Sequence, residues 1–146
     1  MEDTQMAEEH PARAASQRSM KLVQEKPEGA REQWIALFAD DGWIEDPVGV
    51  SPLDPEGKGH HGPEGIGAFW DATIATTGIN FELVDSFSCG NEVANIGRIH
   101  TTQPDGSTAL CEGVFVYRVN DDGKLQCLRA FWEFDRMMAT FASPPG

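Results

Sequence analysis

Four strand-like segments separated by turns fill the second half of the chain and constrain its fold more than any other feature. They cover about residues 79–88, 92–103, 108–119 and 125–135. The turn signals between them are Cys89-Gly90-Asn91, Pro104-Asp105-Gly106 and Asp121-Asp122-Gly123. Strands that follow one another through short turns pair antiparallel, so this half predicts an antiparallel meander.

The first half of the chain has the apolar spacing of helices. A first helix is predicted from about residue 12 to residue 26. The second has apolar side chains at i, i+3 and i+4 on one face: Trp34, Leu37 and Phe38. Pro63 opens the third, whose apolar stripe is Ile66, Phe69, Trp70 and Ile74.

A short strand, Trp43 to Asp46, lies between the second and third helices and ends at Pro47. A loop rich in Gly and Pro follows it, from residue 49 to residue 62. Helices first and a meander afterwards predict an α+β domain. We expect three N-terminal helices to cover a curved antiparallel sheet that closes into a cone over residues 11–138. Tails are predicted at residues 1–10 and 139–146.

Charge and composition exclude several classes of partner. The 146 residues fit one domain, and the formal net charge of -13 disfavours nucleic acid and anionic membrane. No segment is long and apolar enough to span a membrane, and the N-terminus has no secretory signal pattern. The 3 Cys have no C-x-x-C spacing, which favours free thiols in a reducing cytoplasm.

Two short runs carry a family resemblance: residues 37–41, Leu-Phe-Ala-Asp-Asp, and residues 44–49, Ile-Glu-Asp-Pro-Val-Gly. Together with segments 62–70 and 113–132, they resemble bacterial ketosteroid isomerases. These enzymes belong, with SnoaL-like proteins, to the nuclear transport factor 2 superfamily. The resemblance implies a conical fold with a pocket for an apolar, steroid-like molecule and no cofactor. It also implies a homodimer, for which Val114 and Val116 on the outer sheet face are candidate contacts.

Asp46 is the candidate general base. The resemblance implies that this Asp moves a proton between two carbons of a steroid ketone, a mechanism documented for that enzyme family. Alternation along the short strand places Asp46 on the same face as Ile44 and sends Glu45 to the other face. The alternative is that Asp46 only caps the turn before Pro47.

The hydrogen-bond donors of the family are missing from the matching positions. The family's first-helix Tyr falls near Ser19 or Leu22, and its protonated Asp falls at Phe115. Trp70 stands where a supporting Tyr is common. The resemblance therefore extends to the base and not to the groups that stabilise negative charge on the ketone oxygen.

Two residues are candidates to replace those donors. Tyr117 shares its predicted strand face with Phe115, and its hydroxyl is expected to donate into the pocket. His100 lies on the neighbouring strand with Arg98 on its face, and the resemblance implies that this face lines the pocket. For each residue, a purely structural role is the alternative.

The expected pocket lining is aromatic and apolar. It consists of Phe69, Trp70, Phe115, Leu128 and Trp132, with Trp34 or Phe38 from the second helix. This lining favours a flat or lipophilic ligand. The adjacent His60 and His61 are interpreted as loop residues and not as metal ligands, because their side chains diverge and no third ligand is near in sequence.

Three functions remain open on the sequence. One is an isomerase-like enzyme with Asp46 as base, and the second is a non-catalytic binding protein for a steroid or another lipophilic molecule. The third is another reaction of the superfamily, polyketide cyclisation or epoxide hydrolysis. Epoxide hydrolysis on this fold requires an Asp–Arg–Asp arrangement, for which Asp46 and Arg98 are two candidates.

Overall fold

The computed structural model describes residues 10–144. The predicted N-terminal tail lies outside the described residues except for residue 10, and so do the last two residues of the predicted C-terminal tail. The domain bounds of 11 and 138 stay predictions. The backbone of Ala142 nevertheless pairs with Thr108 through two hydrogen bonds of 3.0 and 2.9 Å, so the chain is tied to the sheet as far as that residue.

Three of the four helices precede residue 70, and four of the six strands follow it. The helices are α1 (Pro11–Glu25), α2 (Ala30–Ala36), α3 (Gly62–Phe69) and α4 (Phe134–Met138), and a π-helical turn, Trp70–Ile74, continues α3. The strands are β1 (Phe38–Glu45), β2 (His60–His61), β3 (Gly78–Cys89), β4 (Glu92–Thr102), β5 (Thr108–Val119) and β6 (Leu125–Phe131). They form one six-stranded sheet in the order β2-β1-β6-β5-β4-β3. The predicted fold class, an α+β cone with a curved sheet, is confirmed.

One strand pair departs from the antiparallel pattern. β1 runs parallel to β6, with Ile44 opposite Leu128 and Glu45 opposite Arg129. The other neighbouring strands pair antiparallel. Because β1 and β6 point the same way, the residues that follow their carboxyl ends meet at one edge of the sheet.

The sequence carries recognisable signals at both ends of helix α1. Pro11 occupies the first turn, where its missing N–H costs nothing, and His10 Nδ1 accepts a hydrogen bond from the Ala12 N–H at 3.2 Å. Lys26 adopts the left-handed conformation just before Pro27, and the helix stops. The buried face holds only small side chains: Ala12, Ala15, Ser16 and Ser19. Small side chains let the helix axis approach the sheet closely.

The core is centred on Trp34 of α2, which is 1 % exposed. Its ring lies 5.2 Å from that of Phe38, 5.3 Å from that of Trp70 and 6.3 Å from that of Phe69. These contacts join α2 to β1 and to α3. Aromatic pairs in such arrangements add to the stability already gained by burying their area.

Three predicted boundaries were wrong. Phe38, predicted on the second helix, begins β1, because α2 ends at Ala36. The predicted loop at residues 49–62 contains the short strand β2, in which His60 and His61 pair with Ile44 and Trp43. The last strand ends at Phe131 instead of residue 135, and the chain turns into α4.

Gly113 lies at a close approach between β5 and the end of β6. A Cβ at this position would lie 2.3 Å from the Phe131 carbonyl oxygen and 2.9 Å from the Trp132 Cβ. Both distances are shorter than van der Waals contact, and the first involves a backbone atom, which cannot shift as easily as the end of a flexible side chain. Glycine at this position therefore allows the chain to turn after β6 and to direct Trp132 inward.

We expect Gly113→Ala to lower the free energy of unfolding by about 1–3 kcal/mol, since overpacking against fixed backbone costs about that much. Urea denaturation followed by circular dichroism measures it. Gly78→Ala is the matched control, because a Cβ there lies no closer than 3.4 Å to Thr102. Equal stability of the two variants would contradict the close approach.

Candidate active site

A cavity of about 430 Å³ lies inside the cone, between the helices and the concave face of the sheet. Alternate residues of β4 and β5 point into it, Ile99 and Thr101 from one strand and Cys111, Phe115 and Tyr117 from the other. Among the described residues that line it, Asp46 is the only carboxylate, and there is no Lys, Arg or His. The cavity is therefore an apolar pocket with few polar groups, the usual character of a small-molecule site.

Asp46 follows the end of β1 and its carboxyl group opens on this cavity. The indole Nε1–H of Trp132, the residue after β6, donates a hydrogen bond of 2.6 Å to Asp46 Oδ1. Burial in apolar surroundings raises the pKa of Asp46 to about 6, and the Trp132 hydrogen bond opposes part of that rise. A carboxylate with such a pKa is mostly ionised at neutral pH and is basic enough to accept a proton from carbon.

Tyr117 supplies a buried hydroxyl to the same cavity. Burial raises the pKa of Tyr117 above its usual range, a hydrogen bond with Ser19 opposes the rise, and the negative charge of Asp46 adds to it. Ser19, on α1, also accepts a hydrogen bond of 2.9 Å from Trp34 Nε1. The phenol is therefore held as the neutral form, which can donate its proton to an oxygen of a ligand.

Cys111 is the third titratable group that faces the cavity. Burial raises the pKa of its thiol, and the charges of Asp46 and Glu112 raise it further. A thiol with a raised pKa is a poor nucleophile, so Cys111 contributes apolar lining and no chemistry.

His100 and Arg98 were predicted to face the cavity, and this prediction was wrong. Arg98 pairs across the strands with Glu112 and binds its carboxylate at 2.9 Å. Glu82 contacts Arg98 at 3.1 Å and His100 at 3.1 Å. Strand alternation explains the error: Ile99 and Thr101 point inward, so their neighbours must point outward.

The predicted lining residues divide into two groups. Cavity-lining positions are occupied by Trp34, Phe69, Phe115, Leu128 and Trp132. Phe38 and Trp70 are buried behind them, among the side chains around Trp34, and do not reach the cavity wall. Their predicted contact with a ligand is corrected to a role in supporting that wall.

Several lining residues were not identified from the sequence. From β3 come Ile79 and Phe81, and from the C-terminal segment come Phe134, Met137, Met138 and Phe141. The C-terminal group has the helical spacing i, i+3, i+4 and i+7, a signal that was present but short. Ser19 was recognised only as a position where the family's Tyr is missing.

His60 and His61 diverge, as expected from their adjacency. The His60 ring contacts the Phe69 ring at 5.1 Å, whereas His61 stacks on Trp43 at 6.1 Å and bonds the Lys58 carbonyl oxygen. Within residues 10–144, no group of three or more His, Cys, Asp or Glu side chains is arranged to hold a metal ion.

A profile of the SnoaL-like domain matches residues 21–127. The chain belongs to the SnoaL-like family, within the nuclear transport factor 2 superfamily. The resemblance stated from residues 37–49 is thereby confirmed. A search of curated protein sequences gave no match.

Solved structures of similar SnoaL-like folds include RV0760c from Mycobacterium tuberculosis, at 40% identity and a TM-score of 0.83, over 91% of this chain and 97% of that one. The same protein in complex with estradiol-17beta-hemisuccinate matches at 38% identity and a TM-score of 0.80, over 92% and 99%. A Delta 5-3-ketosteroid isomerase from Mycobacterium sp. matches at 37% identity and 0.80, over 91% and 98%. A computationally designed 17-OHP binder matches at 39% and 0.83, over 92% and 100%.

Within the part of the chain that the structure describes, we find no helix of the length and apolarity needed to cross a membrane.

The raised pKa of Asp46 makes stability depend on pH. The native pKa of about 6 exceeds the ordinary value of 3.8, so the folded protein binds this proton more tightly than the unfolded chain. Stability is therefore highest below about pH 4 as far as this group is concerned, and falls as pH rises through about 6. Asp46→Asn removes the ionisation and should raise the free energy of unfolding above pH 6 by roughly 2–3 kcal/mol.

Urea denaturation at pH 4.5 and 7.5 measures this effect in the wild type, in Asp46→Asn and in Asp122→Asn, a control in an exposed turn. The free energy of unfolding of Asp46→Asn should exceed that of the wild type by more at pH 7.5 than at pH 4.5. An equal difference at the two pH values would contradict the raised pKa of Asp46.

Proposed function

We propose that this SnoaL-like protein is a ketosteroid isomerase-like enzyme that moves a proton on a steroid or related ketone, with Asp46 as general base. The observation that carries the proposal is a single carboxyl group in an apolar cavity, held by Trp132 at 2.6 Å, with its pKa raised to about 6. A carbon acid beside a ketone requires a base held against it in a dry site.

The reaction balances without any co-reactant. The Asp46 carboxylate takes a proton from the carbon that lies between the ketone and a C=C bond of the substrate, and the electrons of that C–H bond form a dienolate whose oxygen carries the charge. Tyr117 donates a hydrogen bond to this oxygen. The Asp46 carboxyl then returns the proton to a different carbon, which moves the double bond and regenerates the base.

Two properties of the site support a steroid or a similar ring system as ligand. The cavity of about 430 Å³ lies within the range of small-molecule sites, and aromatic rings such as Phe81 and Phe115 form flat walls. Three similar structures, described above, are by their names a ketosteroid isomerase, a complex with a steroid ester and a designed 17-OHP binder.

Non-catalytic steroid binding is the second candidate. It is favoured by the absence of another carboxylic acid among the described lining residues, since the family's protonated Asp is replaced by Phe115. An epoxide hydrolase-type site is disfavoured, because Arg98 lies on the outer face with Glu82 and Glu112. Cyclisation of a polyketide also needs one Asp as base, so the variant Asp46→Asn tests that function as well.

We expect slow isomerisation of a 3-oxo-Δ5 steroid, together with measurable binding of the product. Loss of one oxyanion donor typically costs about 100- to 1,000-fold in rate, and Tyr117 offsets only part of the loss of two. Asp46→Asn should abolish turnover and leave the affinity for the product within about threefold, since the cavity keeps its shape.

Absorbance of the conjugated product measures turnover, and equilibrium dialysis measures affinity. Binding without turnover in the wild type would assign the protein to the non-catalytic class. Undiminished turnover by Asp46→Asn would show that the base is another group.

We also propose a homodimer that forms through the outer face of the sheet. Ile96, Val114 and Phe131 lie opposite one another on β4, β5 and β6 and form an apolar row across that face. Ile96 is 37% exposed and Phe131 is 44% exposed, so the row is accessible to a second copy. Val116 lies on the same face, two residues along β5.

Light scattering at micromolar concentration should give twice the mass of one chain. Val114→Lys places a charge in the row and should shift the mass to that of the monomer, whereas Val50→Lys, at an exposed loop residue, should leave the dimer intact. A wild-type monomer would refute the interface.

We propose that the protein is located in the cytoplasm. We also propose that it binds small molecules and neither nucleic acid nor membrane. The three cysteines are all free, as suits a reducing compartment.

A further inference from the structure

The cavity meets solvent at a mouth whose side chains carry no charge. A residue that lines the cavity and is also exposed must lie at this mouth. Within the described part of the chain, the residues of this kind are Leu53, Ala72, Gln103, Thr108, Met138 and Phe141. Three of them are large and apolar, Leu53, Met138 and Phe141, and we call these three side chains the apolar rim.

Each member of the apolar rim leaves a large part of its side chain in water. Leu53 is 41% exposed, Met138 is 45% exposed and Phe141 is 49% exposed. A single exposed apolar residue is ordinary on a protein surface. Three that share the mouth of an apolar cavity extend the apolar surface of that cavity to the outside, and such a surface is typical of a binding site.

Hydrogen bonds define the backbone on the loop side of the rim. The Leu53 N–H donates to Ser51 Oγ at 3.1 Å, and the backbones of Ser51 and Asp54 pair through two hydrogen bonds of 3.1 and 2.9 Å. The Gly59 N–H then donates to Asp54 Oδ2 at 2.8 Å. The turn that carries Leu53 is therefore closed on itself, with the Leu53 side chain left on the outside.

The C-terminal side of the rim is tied to β5. Thr140 lies between Met138 and Phe141 in sequence, and its Oγ1 accepts a hydrogen bond of 2.7 Å from the Leu110 N–H. Ala142 pairs with the backbone of the same strand, as described above. Both sides of the rim are thus ordered before any ligand arrives, and a preorganised surface binds its ligand with a smaller cost in conformational entropy.

The charges of the two segments that carry the rim disfavour an anion at the mouth. One carboxylate lies on each segment, Asp54 on the loop and Asp135 in α4. The cations of the same segments are each in contact with a carboxylate, Lys58 at 2.8 Å and Arg136 at 3.5 Å. The formal net charge of -13 acts in the same direction. The part of a ligand that passes through the mouth should therefore be uncharged.

We propose that the ligand is a steroid ketone with an uncharged alkyl side chain, whose rings fill the cavity and whose side chain passes through the mouth and covers the apolar rim. This inference rests on the proposed function for the ketone and adds the class of substituent at the other end of the molecule. A compact steroid leaves the three rim side chains in water, whereas an alkyl chain removes them from it. Each methylene group that becomes buried strengthens binding about fourfold.

Three ketones that share the same rings test the proposal by equilibrium dialysis. Androst-4-en-3-one has no side chain, methyl 3-oxochol-4-en-24-oate has an uncharged one, and 3-oxochol-4-en-24-oic acid has the same chain with a carboxylate. We expect the ester to bind at least roughly 10-fold more tightly than androst-4-en-3-one, because its chain covers the rim. The acid should bind at least roughly 10-fold more weakly than the ester, since its charge meets an acidic mouth.

Rim variants distinguish contact with the rim from the general preference of an apolar ligand for protein. Leu53→Ser and Met138→Ser should each lower the ratio of the ester affinity to the androst-4-en-3-one affinity by about threefold to fivefold, and the double variant by about 10-fold. The matched control is Val50→Ser, which lies on the same loop and is 74% exposed but does not line the cavity. It should leave the ratio at the wild-type value.

Equal affinities for the ester and androst-4-en-3-one, or a ratio that is the same in the wild type and the double variant, would overturn this inference and leave the proposed function intact. An acid that binds as tightly as the ester would overturn the uncharged side chain. Failure of all three ketones to bind would refute the proposed function, and this inference with it. Light scattering should give the wild-type mass for the double variant; a lower mass would assign the rim to a contact between two copies of the chain and overturn its role in ligand binding.

Discussion

The hydrogen bond between the Trp132 indole and the Asp46 carboxyl group is the interaction on which the site depends. It joins two residues 86 positions apart, at 2.6 Å, and is the hydrogen bond that holds the carboxyl in an apolar cavity. Burial alone raises the pKa of this carboxyl group, and the Trp132 hydrogen bond opposes part of that rise. With one donor its pKa stays near 6, so the group remains ionised and basic. More donors would make it a weaker base.

The fold supplies this geometry through two features of the sheet. The parallel pairing of β1 with β6 brings Asp46 and Trp132 to the same edge, and Gly113 gives the chain room to turn Trp132 inward. The aromatic side chains packed around Trp34 support another part of the cavity wall. The polar groups of the cavity are therefore placed by backbone and core packing, which hold their positions better than surface loops.

Much of the fold was predictable because it depends on local patterns. Turn residues at regular spacing and the apolar stripes of the helices indicate the meander and its cover, and the run from Ile44 to Gly49 indicates Asp46. The errors concern features that are not local. The inward face of β4 depends on its register with β5, so Arg98 and His100 were assigned to the wrong side. The hydrogen bond from Trp34 to Ser19 joins two separate helices and leaves no pattern in the sequence.

The parallel pairing of β1 with β6 also determines when the site can exist during synthesis. Asp46 leaves the ribosome early, but its partner strand and Trp132 come from the last part of the chain. Until they emerge, β1 has only β2 as a neighbour, and the Asp46 carboxyl group lacks the Trp132 donor. Closing so long a loop is slow compared with forming the β3–β4–β5 meander. A nascent chain should therefore gain ligand affinity in one late step, and a truncation that removes β6 should remove the site entirely.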